Sequence, residues 1–453
     1  MRFRSFLLSF SILIIALASP SLFARLGQIV RHMSSSSTSA SSSGTAQTTR
    51  TGIKNLVVVG ASYVGMMAAK ELMTKLDGEQ QKKDSYRVVV VEKQSHFSHL
   101  FAKRISSITP HSSLLLDRPV QFEGNKVTEL PFEALVLASG TKLTPPGTMP
   151  SEEKLEGVKY LQGVQEELEK AHDLVILGGG AVGVRELIFS NHNDEMATDL
   201  AILYPEKSIT VVQSRTLMPR FHPQLHELVM KRFQELGIKT ILGSRAVIPA
   251  EGFNVEGREG KQAVRTQNGD EVKADYVIES TGQTPNSAYL ASFAASTLTP
   301  GKYVRVTSAL QVDTQGVEDE EVKKVAGRIF AVGDIADSGE LRGEIAGAPK
   351  AARPGMAQAT IVANNIAKLL AGEEASSFET YHPNPAAIHL TLGFAESVIF
   401  RNPPSTNPED VLGSFEGDPV IMVKDDGKKD MGIEGVWERR APGLVKSQDD
   451  YWL

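Results

Sequence analysis

The sequence predicts an α/β chain: two parallel-sheet units built on one plan, with a small α+β region at the C-terminus. Three observations predict it. An apolar run, Leu56 to Val59 within KNLVVVGASYVG (Lys54 to Gly65), breaks at Gly60 and resumes as a helix. A second strand, Asp173 to Leu177, passes straight into Gly178-Gly179-Gly180-Ala181-Val182-Gly183. Each unit later returns to a buried strand that ends in small residues: Ala134 to Ala138 ahead of Ser139-Gly140-Thr141, and Val272 to Glu279 ahead of Ser280-Thr281-Gly282. Continuous rather than alternating apolar runs belong to strands buried on both faces, as in parallel sheets covered by helices.

A glycine turn that opens a helix aims unpaired backbone N–H groups and the positive end of the helix dipole at one point, which suits a pyrophosphate. In the G-x-G-x-x-G fingerprint the first glycine makes the turn, the second admits the pyrophosphate and the third lets helix and strand pack closely. Gly60 and Gly65 fill the first and third places of the opening unit, and Ser62 stands in the second, where its hydroxyl is itself a donor to phosphate. The following strand, Tyr86 to Val91, ends at Glu92, an acid placed to accept hydrogen bonds from ribose hydroxyls. Taken alone, this stretch is equally an ordinary strand-to-helix turn. The second unit carries the complete fingerprint in Gly178, Gly180 and Gly183, but its next strand, Ser208 to Val212, ends at Gln213-Ser214-Arg215 instead of at an acid. With no carboxylate to repel a 2′-phosphate and an arginine to attract one, that unit is expected to accept NADPH at least as well as NADH. The plainer reading of Arg215 is a solvated strand-end charge.

Between and beyond the two units the pattern gives a hairpin through Gln121 to Leu130, a helix that resumes at Met196 to Leu203, an amphipathic helix from Pro223 to Leu236 and a strand from Lys239 to Leu242. RIFAVGDIA delivers Gly333 and Asp334 at the end of a strand, and a helix follows from Gly355 to Leu370. A carboxylate there can accept from flavin ribityl hydroxyls, or simply cap a helix. His222 and His226 share a helix face without an acidic third ligand, so no metal site is assigned. His389, in an apolar strand, reads as core. No catalytic acid or base is assigned.

Composition narrows the chemistry. The net charge of −6 gives no footprint for nucleic acid, and the 41% hydrophobic share is that of a soluble globular protein. There is no cysteine, which removes disulfide scaffolds, thiolate metal sites and redox steps through a cysteine pair. The N-terminus reads as a targeting or anchoring segment: Arg2 and Arg4, an apolar run from Phe6 to Ala18, and no acidic residue before Glu71. A cleaved signal peptide, a signal anchor and a mitochondrial presequence compete, with a mistaken upstream start codon as the bland alternative. The expected location is membrane-associated, mitochondrial or endomembrane, with the catalytic part on the cytoplasmic side as one arrangement. The expected divisions are 1–33 for this segment, 34–51 for a Ser-rich linker, 52–150 with 296–375 for the first unit, 151–295 for the second and 376–453 for a C-terminal cap or interface region that flanks the flavin.

GASYVG with Glu92, GGGAVG, STGQTPN and FAVGDIA, in this order, resemble the two-dinucleotide flavoprotein superfamily over roughly residues 54 to 370. The resemblance implies a glutathione-reductase-like fold of two Rossmann-like domains, FAD in the outer and NAD(P)H in the inserted one. SHFSHLFA after the acid, LYPEKSITVV and GIEGVWERRAPG are similar to the fungal apoptosis-inducing factor 2-like proteins, also called ferroptosis-suppressor-like, which reduce quinones at membranes. For this chain the resemblance implies a quinone-like acceptor, membrane association and a homodimer as an option. An alternative is a redox signalling protein with structural FAD, and another an inactive product of an aberrant transcript. Candidate FAD contacts are Gly60, Ser62, Tyr63, Gly65, Glu92, Lys93, Ser139, Gly140, Thr141, Gly333 and Asp334; candidate NAD(P)H contacts are Gly178, Gly180, Val182, Gly183, Arg215 and Gly282. Two departures from the family stand out: Ala102 nearly adjoins Ile105, where relatives have a longer stretch, and Arg185 to Glu195 interrupts a helix with polar residues.

Overall fold

A computed structural model describes residues 52–78, 84–93, 105–148, 150–180, 196–254, 260–337, 350–393, 396–404, 415 and 417–425. The expected targeting segment and linker, both departures from the family pattern, and Val182 and Gly183 lie outside these residues.

The chain opens with β1 (Lys54–Val59), α1 (Tyr63–Asp77) and β2 (Tyr86–Val91), followed by an antiparallel set, β3 (Ile105–Thr109), β4 (Ser113–Phe122) and β5 (Asn125–Pro131), and then β6 (Ala134–Leu137). After β7 (Thr141–Leu143) come α2 (Lys154–Lys170), β8 (Asp173–Leu177), α3 (Met196–Leu203), β9 (Ser208–Gln213), α4 (Pro223–Glu235) and β10 (Lys239–Leu242). Next are β11 (Ala246–Val247), β12 (Gln262–Thr266), β13 (Glu271–Ala274), β14 (Tyr276–Glu279), β15 (Gln283–Pro285) and α5 (Ala288–Ala294). The first sheet is then completed by β17 (Ile329–Ala331), preceded by β16 (Val304–Arg305) and α6 (Glu320–Ala326) and followed by β18 (Ala336–Asp337) and α7 (Ala352–Leu370). A three-stranded sheet, β19 (Ala387–Thr391), β20 (Glu396–Arg401) and β21 (Val420–Asp425), ends the described chain.

Two parallel sheets dominate, ordered β17-β6-β1-β2 and β10-β9-β8-β14. This is an α/β fold of two Rossmann-like sheets, as the continuous apolar runs predict. In β1 every residue after Lys54 is buried, and β6 is buried throughout. In β8 successive side chains serve opposite faces: Leu174 and Ile176 join one core with α4 and the C-terminal sheet, while Val175 and Leu177 join another with Phe253, Val264 and Ala274. At the rim of the first sheet, Glu133 binds Lys54 at 3.1 Å and Arg328 at 2.5 Å, clamping the starts of β1 and β17 beside β6. Desolvation raises the Glu133 carboxyl, but the bonds from Arg328 and Lys54 outweigh it and hold the group below its ordinary value.

Some sequence expectations need correction. Val272 to Glu279 is two strands: β13 closes the antiparallel set β11-β12-β13, and β14 enters the second parallel sheet. The chain changes sheets at Asp275, whose carboxylate accepts from the backbone N–H of His172 at 2.9 Å and of Asp173 at 2.8 Å. The hairpin extends beyond Gln121 to Leu130 on both arms, turning at Glu123 and Gly124, which both have positive φ. Helix α7 begins at Ala352, ahead of Gly355, because Pro354 is tolerated within a first turn that needs no N–H from it. The C-terminal strands pack on the second unit: Leu390, Val398 and Phe400 share a core with Leu174 and Ile209. Arg232 donates to the Leu392 carbonyl at 2.8 Å, and Asn402 bonds the backbone of Arg220 and His222.

Phe330 on β17 is fully buried in the first core and stacks at a tilt on Phe378, with ring centroids 6.2 Å apart. Phe330→Ala is expected to lower unfolding stability by about 3–5 kcal/mol, measured by urea denaturation. A loss near zero would contradict the role of β17 in closing this sheet.

Candidate functional site

The first glycine turn is built by exclusion of a side chain. Gly60 has φ +104°, and a Cβ there would lie 2.4 Å from the Ala138 carbonyl oxygen; a Cβ at Gly65 would lie 1.8 Å from the Gly60 carbonyl oxygen. Strand end, turn and helix start therefore close on one another without side chains between them. Ser62 is the N-cap of α1, yet its hydroxyl makes no capping hydrogen bond, so the oxygen is available at the turn. Glu92 folds back on the same turn: its carboxylate accepts from Ala61 N–H at 2.7 Å and from Lys93 N–H at 2.6 Å. Such charge-assisted bonds fix an acid at the mouth of the turn. The Lys93 ammonium pairs with Glu152 at 3.1 Å, and Tyr63 is buried.

Three elements meet beside that turn. A Cβ at Gly355, in the first turn of α7, would lie 2.5 Å from Val64 of α1 and 3.1 Å from Gly333. Gly333 has φ +73°, and its N–H donates at 2.7 Å to buried Gln358 of α7. This turn presents Asp334, half-buried, to the crevice between these elements, and no described residue hydrogen-bonds its carboxyl. Desolvation raises the Asp334 carboxyl above its usual value, opposed by the charge of Lys350. Lys350, half-buried and lowered by desolvation, bonds the Ala336 carbonyl and lies 4.4 Å from the centre of the Tyr303 ring. Gln358, Gly355 and Lys350 carried no sequence signal, since each acts through a partner distant in the chain.

The second turn repeats the device. Gly178 has φ +111°, and a Cβ there would lie 2.5 Å from the Ser280 carbonyl oxygen. A Cβ on Gly179 would strike Leu217 at 2.3 Å, whereas one on Gly180 meets no described residue within 4 Å. Beyond it, Gln213 bonds within its own turn, accepting from Ser214 N–H at 3.2 Å and donating to the Thr216 carbonyl at 3.3 Å. Arg215 is exposed and lines an open pocket.

The small-residue strand ends fasten the two units together. Buried Ser139 donates to the Asn286 carbonyl at 2.9 Å and shares a hydrogen bond with Tyr289. Asn286 answers with bonds to the carbonyls of Ser139 and Gly140. Thr141 donates to Gln283 at 2.9 Å within the antiparallel pair β7 and β15. The hydroxyls of Ser139 and Thr141 are thus occupied by protein, while Gly140 and Gly282 turn with positive φ. His222 caps α4, its Nδ1 accepting from Gln224 N–H at 3.4 Å, and His226 Nδ1 accepts from Leu217 N–H at 3.1 Å. Among the described residues no cluster of histidine and acidic side chains could hold a metal ion. His389 sits in the C-terminal sheet, 3.2 Å from Ser397.

Two glycine turns that exclude side chains, an acid folded onto the first and a half-buried acid in the adjoining crevice fit FAD and a pyridine nucleotide. The family of pyridine nucleotide-disulphide oxidoreductases matches residues 113–359, and the chain belongs to it. It is accordingly an FAD-dependent, NAD(P)H-using oxidoreductase by family, within which it lacks any cysteine. It is 30% identical over 447 residues to Fe-regulated protein 8 of Mycosarcoma maydis, covering 88% of this chain and 97% of the relative. To ferroptosis suppressor protein 1 of Mus musculus it is 25% identical, over 86% of this chain and 98% of the relative. In fold it is similar to the sulfide:quinone oxidoreductase of Aquifex aeolicus, with TM-score 0.59 and 16% identity over 87% of this chain and 94% of the other.

Because its folded-state carboxyl is raised above the ordinary 3.8, Asp334 opposes folding at neutral pH, and the penalty vanishes below the unfolded value as the acid becomes neutral in both states. Asp334→Asn is expected to make the flavin-free protein more stable at pH 7 and no more stable at pH 3. The same variant is expected to bind FAD about 10- to 100-fold more weakly, the worth of charge-assisted hydrogen bonds. Thermal unfolding at both pH values and a flavin titration measure the two effects.

Proposed function

We infer that the chain oxidises NAD(P)H through bound FAD and delivers the electrons to a quinone-like acceptor at a membrane. The observation that carries this reading is the combination of two dinucleotide turns with a complete absence of cysteine. Family members that reduce disulfides relay electrons through thiols; with none here, the acceptor must approach the flavin itself. The resemblance of SHFSHLFA and GIEGVWERRAPG to quinone-reducing relatives supports the acceptor class, and the apolar run from Phe6 to Ala18 supports the membrane location. No helix among the described residues is long and apolar enough to cross a membrane.

The residues divide the work as follows. The first-turn N–H groups of α1 and the Ser62 hydroxyl hold the FAD pyrophosphate, and Glu92 accepts from the adenosine ribose. Asp334 accepts from the ribityl hydroxyls, with Gln358 fixing its turn and Lys350 countering its charge. Gly178, Gly180 and the segment through Gly183 hold the pyrophosphate of NAD(P)H. The strand-end bonds of Ser139, Thr141, Gln283 and Asn286 set the two sites against each other. When bound, the flavin supplies the chemistry, accepting hydride from the nicotinamide and returning an electron pair to the acceptor.

The purified protein is expected to be yellow and to oxidise NAD(P)H with a soluble quinone analogue; a yellow protein without turnover would sink the enzyme reading. A Cβ at Gly180 meets no described residue, so Gly180→Val should leave flavin content unchanged while turnover at limiting NAD(P)H falls about 100-fold. Equal loss of flavin would contradict the assignment of two separate sites.

A further inference from the structure

We propose that Tyr303 is a positioning residue for the flavin site, holding the Lys350 ammonium beside Asp334 against the face of its ring. The proposal rests on the reading of the Asp334 crevice as the place where FAD is held, and it adds a residue that belongs to neither glycine turn. The Lys350 ammonium lies 4.4 Å from the centre of the Tyr303 ring and donates to the Ala336 carbonyl. Among the described residues that carbonyl is its one hydrogen-bond acceptor. A cation over an aromatic ring is attracted by the negative face of the π-system, and the attraction grows where water is excluded.

The backbone brings the two side chains together. β16 pairs in parallel with β18, placing Val304 opposite Ala336 and Tyr303 level with the Gly333–Ile335 turn that carries Asp334. The turn that leads to Tyr303 is closed twice: Thr299 N–H donates to the Tyr303 carbonyl at 2.9 Å, and Tyr303 N–H donates to the Thr299 hydroxyl at 3.1 Å. The far end of the side chain is fixed as well. Gln283 of β15 hydrogen-bonds the Tyr303 hydroxyl and accepts from the Thr141 hydroxyl at 2.9 Å. The ring is therefore fastened at one end by its own turn and at the other by the strand pair that joins the two units.

Charge explains why a ring stands here and not an acid. Desolvation disfavours the Lys350 ammonium, the charges of Asp334 and Asp337 favour it, and Arg220 of the second unit opposes them. Asp334, desolvated in its turn, has Lys350 as the cation that favours its ionised form. A carboxylate paired directly with Lys350 would neutralise that cation, whereas an aromatic face holds it in place with its charge intact. Without the ring the flexible lysine stem is free to turn to water. Asp334 then loses its counter-charge, takes up a proton more readily and becomes a poorer acceptor for ribityl hydroxyls.

The test follows FAD release from the purified full chain by the recovery of flavin fluorescence after dilution. Tyr303→Leu and Lys350→Met are each expected to release FAD about 3- to 30-fold faster than the unaltered chain, the range that a cation–ring contact supports. Tyr303→Phe keeps the ring and loses the bond to Gln283, so its release should fall between those of the unaltered chain and Tyr303→Leu. In a Lys350→Met background Tyr303→Leu should add nothing, because the ring then has no cation to hold. A Tyr303→Leu effect that persists undiminished without Lys350 would overturn the positioning role in favour of simple packing, as would equal release by the unaltered chain and Tyr303→Leu. Tyr303→Met takes the same place in the cycle if Tyr303→Leu does not fold. A chain that carries no FAD and takes up none would overturn the flavin reading of the crevice, and the role of Tyr303 with it.

Discussion

The close approach of a glycine turn to a neighbouring strand's carbonyl is the constraint on which the rest of the structure depends. It occurs twice, at Gly60 against Ala138 and at Gly178 against Ser280, with hypothetical Cβ distances of 2.4 and 2.5 Å. In each case the turn bends with positive φ, the following chain is drawn over the end of its own sheet, and donors collect there. The same geometry brings Glu92 within reach of Ala61 and lets Gly355 and Gly333 close around Val64. A methyl group at either turn would push apart the elements whose convergence makes the crevice.

A second layer of organisation is polar and long-range. Ser139 and Asn286 exchange bonds across 147 residues of chain, and Thr141 reaches Gln283 across 142. These bonds sit at the strand ends beside the Gly60 and Gly178 turns, so the contact that joins the units also sets the spacing of the two turns. Among the described residues the C-terminal sheet packs on the second unit, through Phe400 and Leu390 in its core and Asn402 on its backbone.

The crevice itself is electrostatically unfavourable to folding. Asp334 is desolvated without a hydrogen-bond partner among the described residues, and Lys350, also desolvated, counters only its charge. Groups held this way lower stability and persist where a ligand compensates them. The opposite design holds at the far rim, where Glu133 is fully paired with Lys54 and Arg328 and its ionised form is favoured. The contrast separates an acid whose charge the fold pairs from one whose charge it leaves without a hydrogen bond among the described residues.

Short-range pattern was enough to determine the parallel strands, the two turns and several helices. Runs such as Leu56 to Val59 admit no exposed face, and Met196–Leu203 and Lys239–Leu242 fall where the spacing places them. Pro223 at the first position of its helix is equally local, because a fixed φ and a missing N–H suit that place alone. What only the tertiary structure decided are the interactions whose partners lie far apart in the chain. Asp275 splits an apparently continuous strand by capturing the N–H groups of His172 and Asp173, and Gln358 holds the Gly333 turn. A strand or a turn is encoded by neighbours along the chain, whereas the fate of a buried polar group depends on which distant backbone the fold carries past it.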